Sequence, residues 1–581
     1  MPAVKTTQQT GPSAFEAVIL WLEKAAVYGG IFIFPFFTLP GTRDTINLPK
    51  QVFLQSLVGM CFVLWLWRVV REKKIVWQRT VGDWPILVLT AIVLVSTITS
   101  LSPAISLFGH PHTFTLSTIN LLSWFLWFAL LTEWLARRGS YRGVLLSLLL
   151  GGGVAMGIFL LSDWPFISRF IFWIGGERVI SANILLGVFY STIGVLAAGL
   201  FCVADLRRVW RFVSLVVFIL SVVTLLQLGF AVAWIVLAVG LGLQMFFLVT
   251  VFSTVRGEWA ALVCFIFLLA GIMGIAGTPR GVKRVLPVEV ALGARATWDL
   301  VLSAHSNSPR YFFVGSGPAT FSYVFSRWRT PAYNFNEFTA NTRFTQGFNT
   351  LLTMLIEYGG LAVLAFLFLI VSCIGALSRL WREERLASKR RSRHVTGEVV
   401  NFFAGGAAFG ALTVGLFLSF FDLTLWFVWW TLVVVSLSAS AAAASRKVFN
   451  LFVSPQHRLA GIFGLVCVLV VGGIYGLWAA RLYMAEIAFT NFLNGQSVTS
   501  EKISVDLERA VEWRPAYAPY GIALVKAYLE RAAVLAKAAD SRTGEIPRLL
   551  SSATERVKIL KEAEPRDVEV WETAAVVYAN T

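Results

Sequence analysis

The sequence predicts an all-α polytopic membrane protein, and three observations carry that reading. The composition is 57% hydrophobic and only 14% charged, with 22 Trp and 47 Phe among 581 residues. A soluble chain of this size exposes far more charge. Hydrophobic runs of bilayer-spanning length recur from end to end. The Lys and Arg residues between those runs gather in alternate loops, as they do when one side of a membrane protein stays in the cytoplasm.

The apolar runs lie near 15–38, 51–70, 84–101, 116–135, 143–162, 182–203, 212–228, 231–250, 259–277, 350–377, 401–421, 424–442 and 459–480. This amounts to about thirteen transmembrane helices. Only a few residues around Gly229 divide the seventh run from the eighth. The first run is too long, and too poorly preceded by charge, for a cleaved signal peptide, and no small-residue cleavage site follows it.

The charge pattern orients the spans. Arg68, Arg71, Lys73, Lys74 and Arg79 share one short loop, Arg137, Arg138 and Arg142 the next but one, and Arg207, Arg208 and Arg211 the next but one again. Arg256, the cluster from Arg379 to Arg393, and Arg446, Lys447 and Arg458 complete that side. The complementary short loops hold only Arg43, Lys50, Arg169 and Arg178. The N-terminus is therefore expected in the cytoplasm, with the 278–349 loop and everything after residue 480 outside it. The net charge of +17 then reports contact with membrane lipids and orientation, not nucleic acid. The five Cys fall within or at the ends of separate apolar runs and read as small apolar residues.

One connection is unlike the rest. Residues 278–349 form a long basic, aromatic-rich loop holding Arg280, Lys283, Arg284, Arg295, Arg310, Arg327, Arg329 and Arg343 against Glu289, Asp299 and Glu337. Guanidinium forks match phosphate and carboxylate geometry, so the excess points to an anionic partner. Residues 288–304 have an amphipathic helical pattern through Val288, Leu292, Trp298, Val301 and Leu302,. Gly315 and Gly317 flank Ser316 and permit a tight turn with close backbone approach,. Tyr323, Phe325, Trp328, Tyr333, Phe335, Phe338 and Phe344 then interleave with Arg327, Arg329 and Arg343. Such aromatics anchor chains at a membrane surface or stack on sugar rings.

After residue 480 the charge is nearly balanced and the period is helical. Leu507, Ala510, Val511, Ile522, Val525 and Leu529 mark amphipathic faces, and Pro515, Pro519 and Pro565 punctuate them,. The strings Leu507-Glu-Arg-Ala-Val-Glu-Trp-Arg-Pro515 and Ala563-Glu-Pro-Arg-Asp-Val-Glu-Val-Trp571 each lead into a helix carrying Ala and Tyr. The 481–581 tail resembles tetratricopeptide hairpins, which implies a small helical domain offered to a protein partner. No Walker run, no dinucleotide fingerprint and no His/Cys cluster is present, so neither cofactor nor metal is expected,.

The order of elements resembles the O-antigen ligase, O-antigen polymerase and protein O-oligosaccharyltransferase superfamily over roughly residues 50–440. The matching pieces are Ser106-Leu-Phe-Gly109 followed by Leu116-Ser, Gly176-Glu-Arg178 through Ser181-Ala-Asn183, Arg295-x-x-Trp298, Phe313-Val-Gly-Ser-Gly-Pro-Ala-Thr-Phe321 and Asn349 through Glu357-Tyr-Gly359. The resemblance implies a metal-independent glycosyltransferase of the bacterial cytoplasmic membrane. Its substrate would be a glycan on undecaprenyl pyrophosphate, passed at the outer face to a lipid, glycan or protein acceptor. It implies substrate contacts by Arg295, Gly315, Gly317 and Asn349, with Arg327, Arg329 and Arg343 as further candidates for the diphosphate. Two family positions differ. The family's His-Asn falls on Phe348-Asn349, and its Ser-Arg pair falls near Phe230-Ala231. His110 and His112 in the first outer loop are the candidate replacements for the missing base, and His305 is the other His of the outer loops,. Two alternatives remain open: an inactive homologue that binds or assembles lipid-linked glycan, and a polytopic transporter.

Overall fold

The structure, a computed structural model, describes residues 14–39, 41–109, 113–138, 141–162, 164–165, 186–202, 206–251, 257–279, 281–284, 290–335, 339, 342–390, 397–440, 446–450, 455–494, 500–515, 517–538 and 544–580. His110, His112 and the 176–183 segment lie outside these residues.

Helices form where the apolar runs lie. Nine of those described are long and apolar enough to cross a membrane: Ala17–Phe36, Asn47–Glu72, Thr118–Arg137, Tyr141–Leu161, Arg208–Leu228, Ala231–Thr250, Gly359–Leu386, Asn401–Leu418 and Leu459–Asn494. The chain is thus a multi-pass helical membrane protein. The other four runs fall on shorter apolar helices, Asp83–Ile98, Leu186–Phe201, Ala261–Ala276 and Leu423–Ser438. A sixteen-residue helix such as Asp83–Ile98 rises only about 24 Å, a turn short of a ~30 Å hydrocarbon layer.

Two of these short helices are the centre of the bundle. Every residue from Gly187 to Leu200 is buried, as are Trp426, Trp429 and Trp430 on Leu423–Ser440. Small residues let the neighbours close in, as usual between membrane helices. A side chain added at Gly199 would stand 2.5 Å from the Ala404 methyl, and one at Gly240 2.3 Å from Val195.

The end of the bundle that carries most of the basic short loops holds a buried ion network. Arg68 Nη1 donates to Glu23 Oε1 at 2.9 Å and its Nη2 pairs with Glu133. Arg137 pairs with that same Glu133 and, at 2.7 Å, with Glu72. Beside it two basic loops pair as an antiparallel ribbon, Lys74–Gln78 against Arg446–Asn450, with Val76 opposite Val448. This ribbon departs from the all-α expectation. Ile75, Val76 and Trp77, with Val448 and Phe449 across from them, are β-formers that find partners only once the third dimension joins the loops,.

The opposite end, the loop face, carries two further helical units. Residues 290–357 fold as Ala294–Asn307, Pro309–Val314, Phe321–Trp328, Ala332–Phe335 and Thr350–Glu357, around Leu300, Val301, Phe321, Phe325, Phe344 and Ile356. The amphipathic helix starts at Ala294, later than 288. The span expected to begin at residue 350 begins at Gly359 instead, because the helix breaks at Tyr358. The tail continues without a break from the last membrane helix. Pro455–Asn494 is one helix of 40 residues, about 60 Å long and so twice the membrane thickness. Its last turns pack Ala485, Ala488 and Phe489 against Leu507, Tyr520 and Leu524. Ser500–Trp513, Ala518–Ala538, Ile546–Ala563 and Val568–Asn580 then pack in succession.

Removing Arg68 takes from the buried Glu23 and Glu133 the cation they share. Arg68→Ala is expected to cost about 3–5 kcal/mol, read as a lowered unfolding temperature of the detergent-solubilised protein, whereas an exposed cation such as Arg327→Ala is expected to cost under about 0.5 kcal/mol.

Candidate functional site

Three of the segments that carry the resemblance, those around Ser106, Gly315–Gly317 and Glu357–Gly359, are far apart in the chain and meet at the loop face. The Gly315-Ser316-Gly317 turn lies against the Glu357-Tyr358-Gly359 break, backbone on backbone. Ser316 N donates to Ile356 O and Gly317 N to Glu357 O, each at 2.9 Å. The first connector closes the third side. Leu101 N donates to Ser316 O at 2.9 Å, Ser106 Oγ to Pro318 O at 2.8 Å, and Ser96 Oγ to Glu357 O at 3.1 Å. Tyr358 donates its hydroxyl to Leu116 O.

Glycine is required on both sides of this seam. Gly315 and Gly359 have φ of +74° and +77°, a region other residues enter only with strain. A Cβ at Gly315 would stand 2.2 Å from Glu357 O, and one at Gly359 2.5 Å from the Phe313 carbonyl carbon. Gly317, at φ +117°, lies so near Ser100 that a Cβ would sit 2.0 Å from its Oγ. The close approach expected of Gly315 and Gly317 is therefore taken up by the protein itself.

Glu357 stands at the centre of the seam and is buried. Its Oε1 accepts from Phe321 N at 3.1 Å, so one carboxyl group holds the start of Phe321–Trp328 to the mouth of the Gly359–Arg390 helix. Burial pushes its pKa from 4.5 up to about 8, which keeps it largely protonated at neutral pH. The sequence offered Glu357 only as part of a motif; its burial was not legible there.

The other candidate residues divide. Asn349 caps Thr350–Glu357, its Oδ1 accepting from Leu352 N at 2.8 Å and its Nδ2 donating to Phe417 O at 2.7 Å. Both ends of its amide are thus engaged within the fold. Arg343 donates to Ser326 Oγ at 3.1 Å and pairs with Glu572 of the tail. It lines a cavity of about 590 Å³ together with Arg329, but Glu569 and Glu572 line it too. Arg327 is exposed and lies 4.8 Å over the Trp328 ring. Arg295 is exposed on Ala294–Asn307 and makes no hydrogen bond or ion pair with the described residues. Neither Arg295 nor Arg327 lines the cavity that Arg329 and Arg343 share. His305 Nε2 lies 3.2 Å from Leu355 O, and burial lowers its pKa.

One cation that the sequence placed in a short loop lies deeper. Lys50 is buried at the loop end of Asn47–Glu72, its Nζ donating to Pro35 O at 3.0 Å and Thr424 Oγ1 at 2.7 Å. With Asp422 and Tyr190 it lines a cavity of about 40 Å³, room for a water. A hydropathy pass cannot pick out such a lysine, because its neighbours come from three distant spans.

No family model matches this chain, and no curated protein is significantly similar to it in sequence.

Two outcomes test the seam. Gly315→Ala combines left-handed strain with a backbone clash, and is expected to destabilise the protein by at least about 2 kcal/mol in denaturation of the purified protein. The carboxyl of Glu357 keeps a proton in the fold that the unfolded chain gives up near pH 4.5. Its stabilising share is complete below that pH and is lost as the pH rises through about 8,. Melting temperatures of wild type and Glu357→Gln should therefore coincide at low pH and diverge in favour of Gln across this window. A gap that does not widen would remove the assignment.

Proposed function

We propose that this protein is a metal-independent membrane glycosyltransferase of O-antigen ligase or polymerase type. It takes a glycan from undecaprenyl pyrophosphate at the outer face of the bacterial cytoplasmic membrane, with the N-terminus cytoplasmic and the loop and tail outside. The supporting observation is the seam. Ser106 of the first connector, the Gly315–Gly317 turn and the Glu357-Tyr-Gly359 break carry the resemblance in three separate stretches of sequence. All three are joined by direct hydrogen bonds.

In such a reaction the acceptor oxygen bonds to the anomeric carbon as the bond from that carbon to the diphosphate oxygen breaks. The electron pair leaves with undecaprenyl pyrophosphate, and the acceptor's proton passes to a base, for which His110 or His112 is the candidate. Charge grows on the leaving oxygens, so fixed cations contribute most of the stabilisation. Arg295 is the exposed guanidinium best placed by motif and least committed within the fold.

A second reading, a glycan-binding or assembly protein without transfer, draws on a different observation: the loop cations do not share one chamber, and Arg343 is engaged by the tail. Purified protein given a labelled lipid-linked glycan separates the two. The transferase releases undecaprenyl pyrophosphate, and Arg295→Ala slows release by roughly a hundredfold. Release no faster than in Arg295→Ala leaves the binding reading.

A further inference from the structure

A cavity of about 400 Å³ lies between the loop unit and the tail, within the range of small-ligand clefts, roughly 300–1,000 Å³. Its walls come from four parts of the chain, Ile105 of the first connector among them. Arg43 belongs to the connection between Ala17–Phe36 and Asn47–Glu72, Ser322 and Thr345 to the loop unit, and Glu486, Tyr517 and Asp567 to the tail. Glu486 is the informative one. It is 2% exposed and its Oε1 accepts from the Tyr520 hydroxyl. Its Oε2 is buried and has no hydrogen-bond partner among the described residues. A carboxylate oxygen held without a donor beside an open cavity is a vacant acceptor, since buried polar atoms are otherwise satisfied.

The charge of the walls excludes some ligands. Glu486, Glu564, Asp567 and Glu569 face Arg43, Arg343 and Lys526. Arg343 is taken by Glu572 and Ser326, and Lys526 lies 3.6 Å from Glu569. Only Arg43 among the three cations is exposed and without an ion pair to the described residues. A diphosphate or a uronic acid therefore meets more acidic groups than unpaired cations here. What the walls offer is an acceptor at Glu486, a donor at Arg43, and hydroxyls at Ser322 and Thr345 that do both. Ala523 and Ile522 add apolar lining. A sugar ring presents the same mixture, hydroxyls around its rim and C–H groups on its face.

We propose that this cleft binds a short stretch of neutral or amino-bearing saccharide, with Glu486 accepting from a sugar hydroxyl or ammonium group and Arg43 donating to a ring or hydroxyl oxygen. The inference deepens the reading above, on which it rests for the origin of the sugar: the diphosphate and the saccharide would be held by different groups, the one by uncommitted arginines and the other by the loop–tail cleft.

The test uses the full-length protein in lipid nanodiscs and carrier-free sugars. A printed array of neutral, amino and uronic-acid oligosaccharides, with acidic and basic peptides beside them, gives the class. Calorimetric titration with the best-bound oligosaccharide gives the affinity. Binding confined to neutral or amino sugars is expected. Glu486→Gln turns part of the acceptor into a donor while keeping an oxygen for Tyr520, and should weaken binding by roughly ten- to a hundredfold. Should that variant fold poorly, Ala523→Trp fills the cleft from its partly exposed wall and should abolish binding. Retention of only peptides or uronic acids, no saccharide binding by wild type, or affinity unchanged in both variants overturns the proposal. Saccharide binding without release of undecaprenyl pyrophosphate keeps this inference and removes the transferase; release with no Glu486-dependent binding does the reverse.

Discussion

The architecture of the loop face rests on one constraint: two backbone segments, 315–317 and 357–359, touch with no space for a side chain at Gly315 or Gly359. That contact decides where the membrane helix Gly359–Arg390 begins, and so how the basic loop is seated above the bundle. Because Gly317 N and Ser316 N both donate across the contact, the break at Tyr358 leaves few backbone groups unsatisfied. A helix running unbroken from residue 350 would have used those carbonyls itself. The position of Glu357 follows from the same geometry. Its side chain is trapped under the turn and meets the start of the next helix, where a neutral carboxyl is tolerated and a carboxylate is not.

The tail depends on this seam in turn. Ser102 and Tyr323 both donate to Glu564, at 3.2 and 2.9 Å, and Arg566 donates to Leu101 O at 3.2 Å. Those partners sit on the two segments that the Gly315–Gly317 turn brings together. The long helix Pro455–Asn494 fixes the other side of the tail by simple continuity. Held at both ends, the tail covers the loop unit and leaves between them a cleft whose walls belong to neither alone. Burial raises the pKa of the Glu564 carboxyl, so this joint, like the seam, favours protons where they are shared between segments.

How much of this was legible in the sequence follows from what each signal measures. Hydropathy records the preference of a segment for lipid over water, and every apolar run coincides with an apolar helix, including the pair divided at Gly229, where φ is +61°. It says nothing about neighbours. The pairing of Lys74–Gln78 with Arg446–Asn450 was therefore invisible, since each strand looked like a charged loop. The glycines at 315 and 317 did announce a tight turn, whereas Asn349 was read as a substrate contact and not as the cap it is. What the turn approaches, and what the amide of Asn349 bonds, are long-range facts: Glu357 is 42 residues from Gly315 in number, and Phe417 lies far beyond. Arg343 was read by its chemistry as an anion ligand. The anion it meets, the Glu572 carboxylate, belongs to a segment whose proximity no local pattern encodes.

This last case bears on how a basic loop should be interpreted. A guanidinium count measures the charge available before folding, whereas a site needs the charge left after the protein's own carboxylates have been matched. Arg343 is matched by Glu572 and approached by Glu569 at 4.0 Å, and Arg284 is turned inward to Phe159 O and Ser162 Oγ. Arg295 and Arg327 keep their guanidinium groups at the surface. An anion as strongly charged as a diphosphate is drawn to the unmatched groups, because a matched pair presents little net field beyond a Debye length of about 8 Å. The loop face is thus partitioned by its internal ion pairs: cations at the rim of the loop unit, and a cleft toward the tail where acidic groups outnumber unpaired cations. A single long ligand with an anionic head and a polyhydroxylated body is the kind of molecule such a division suits.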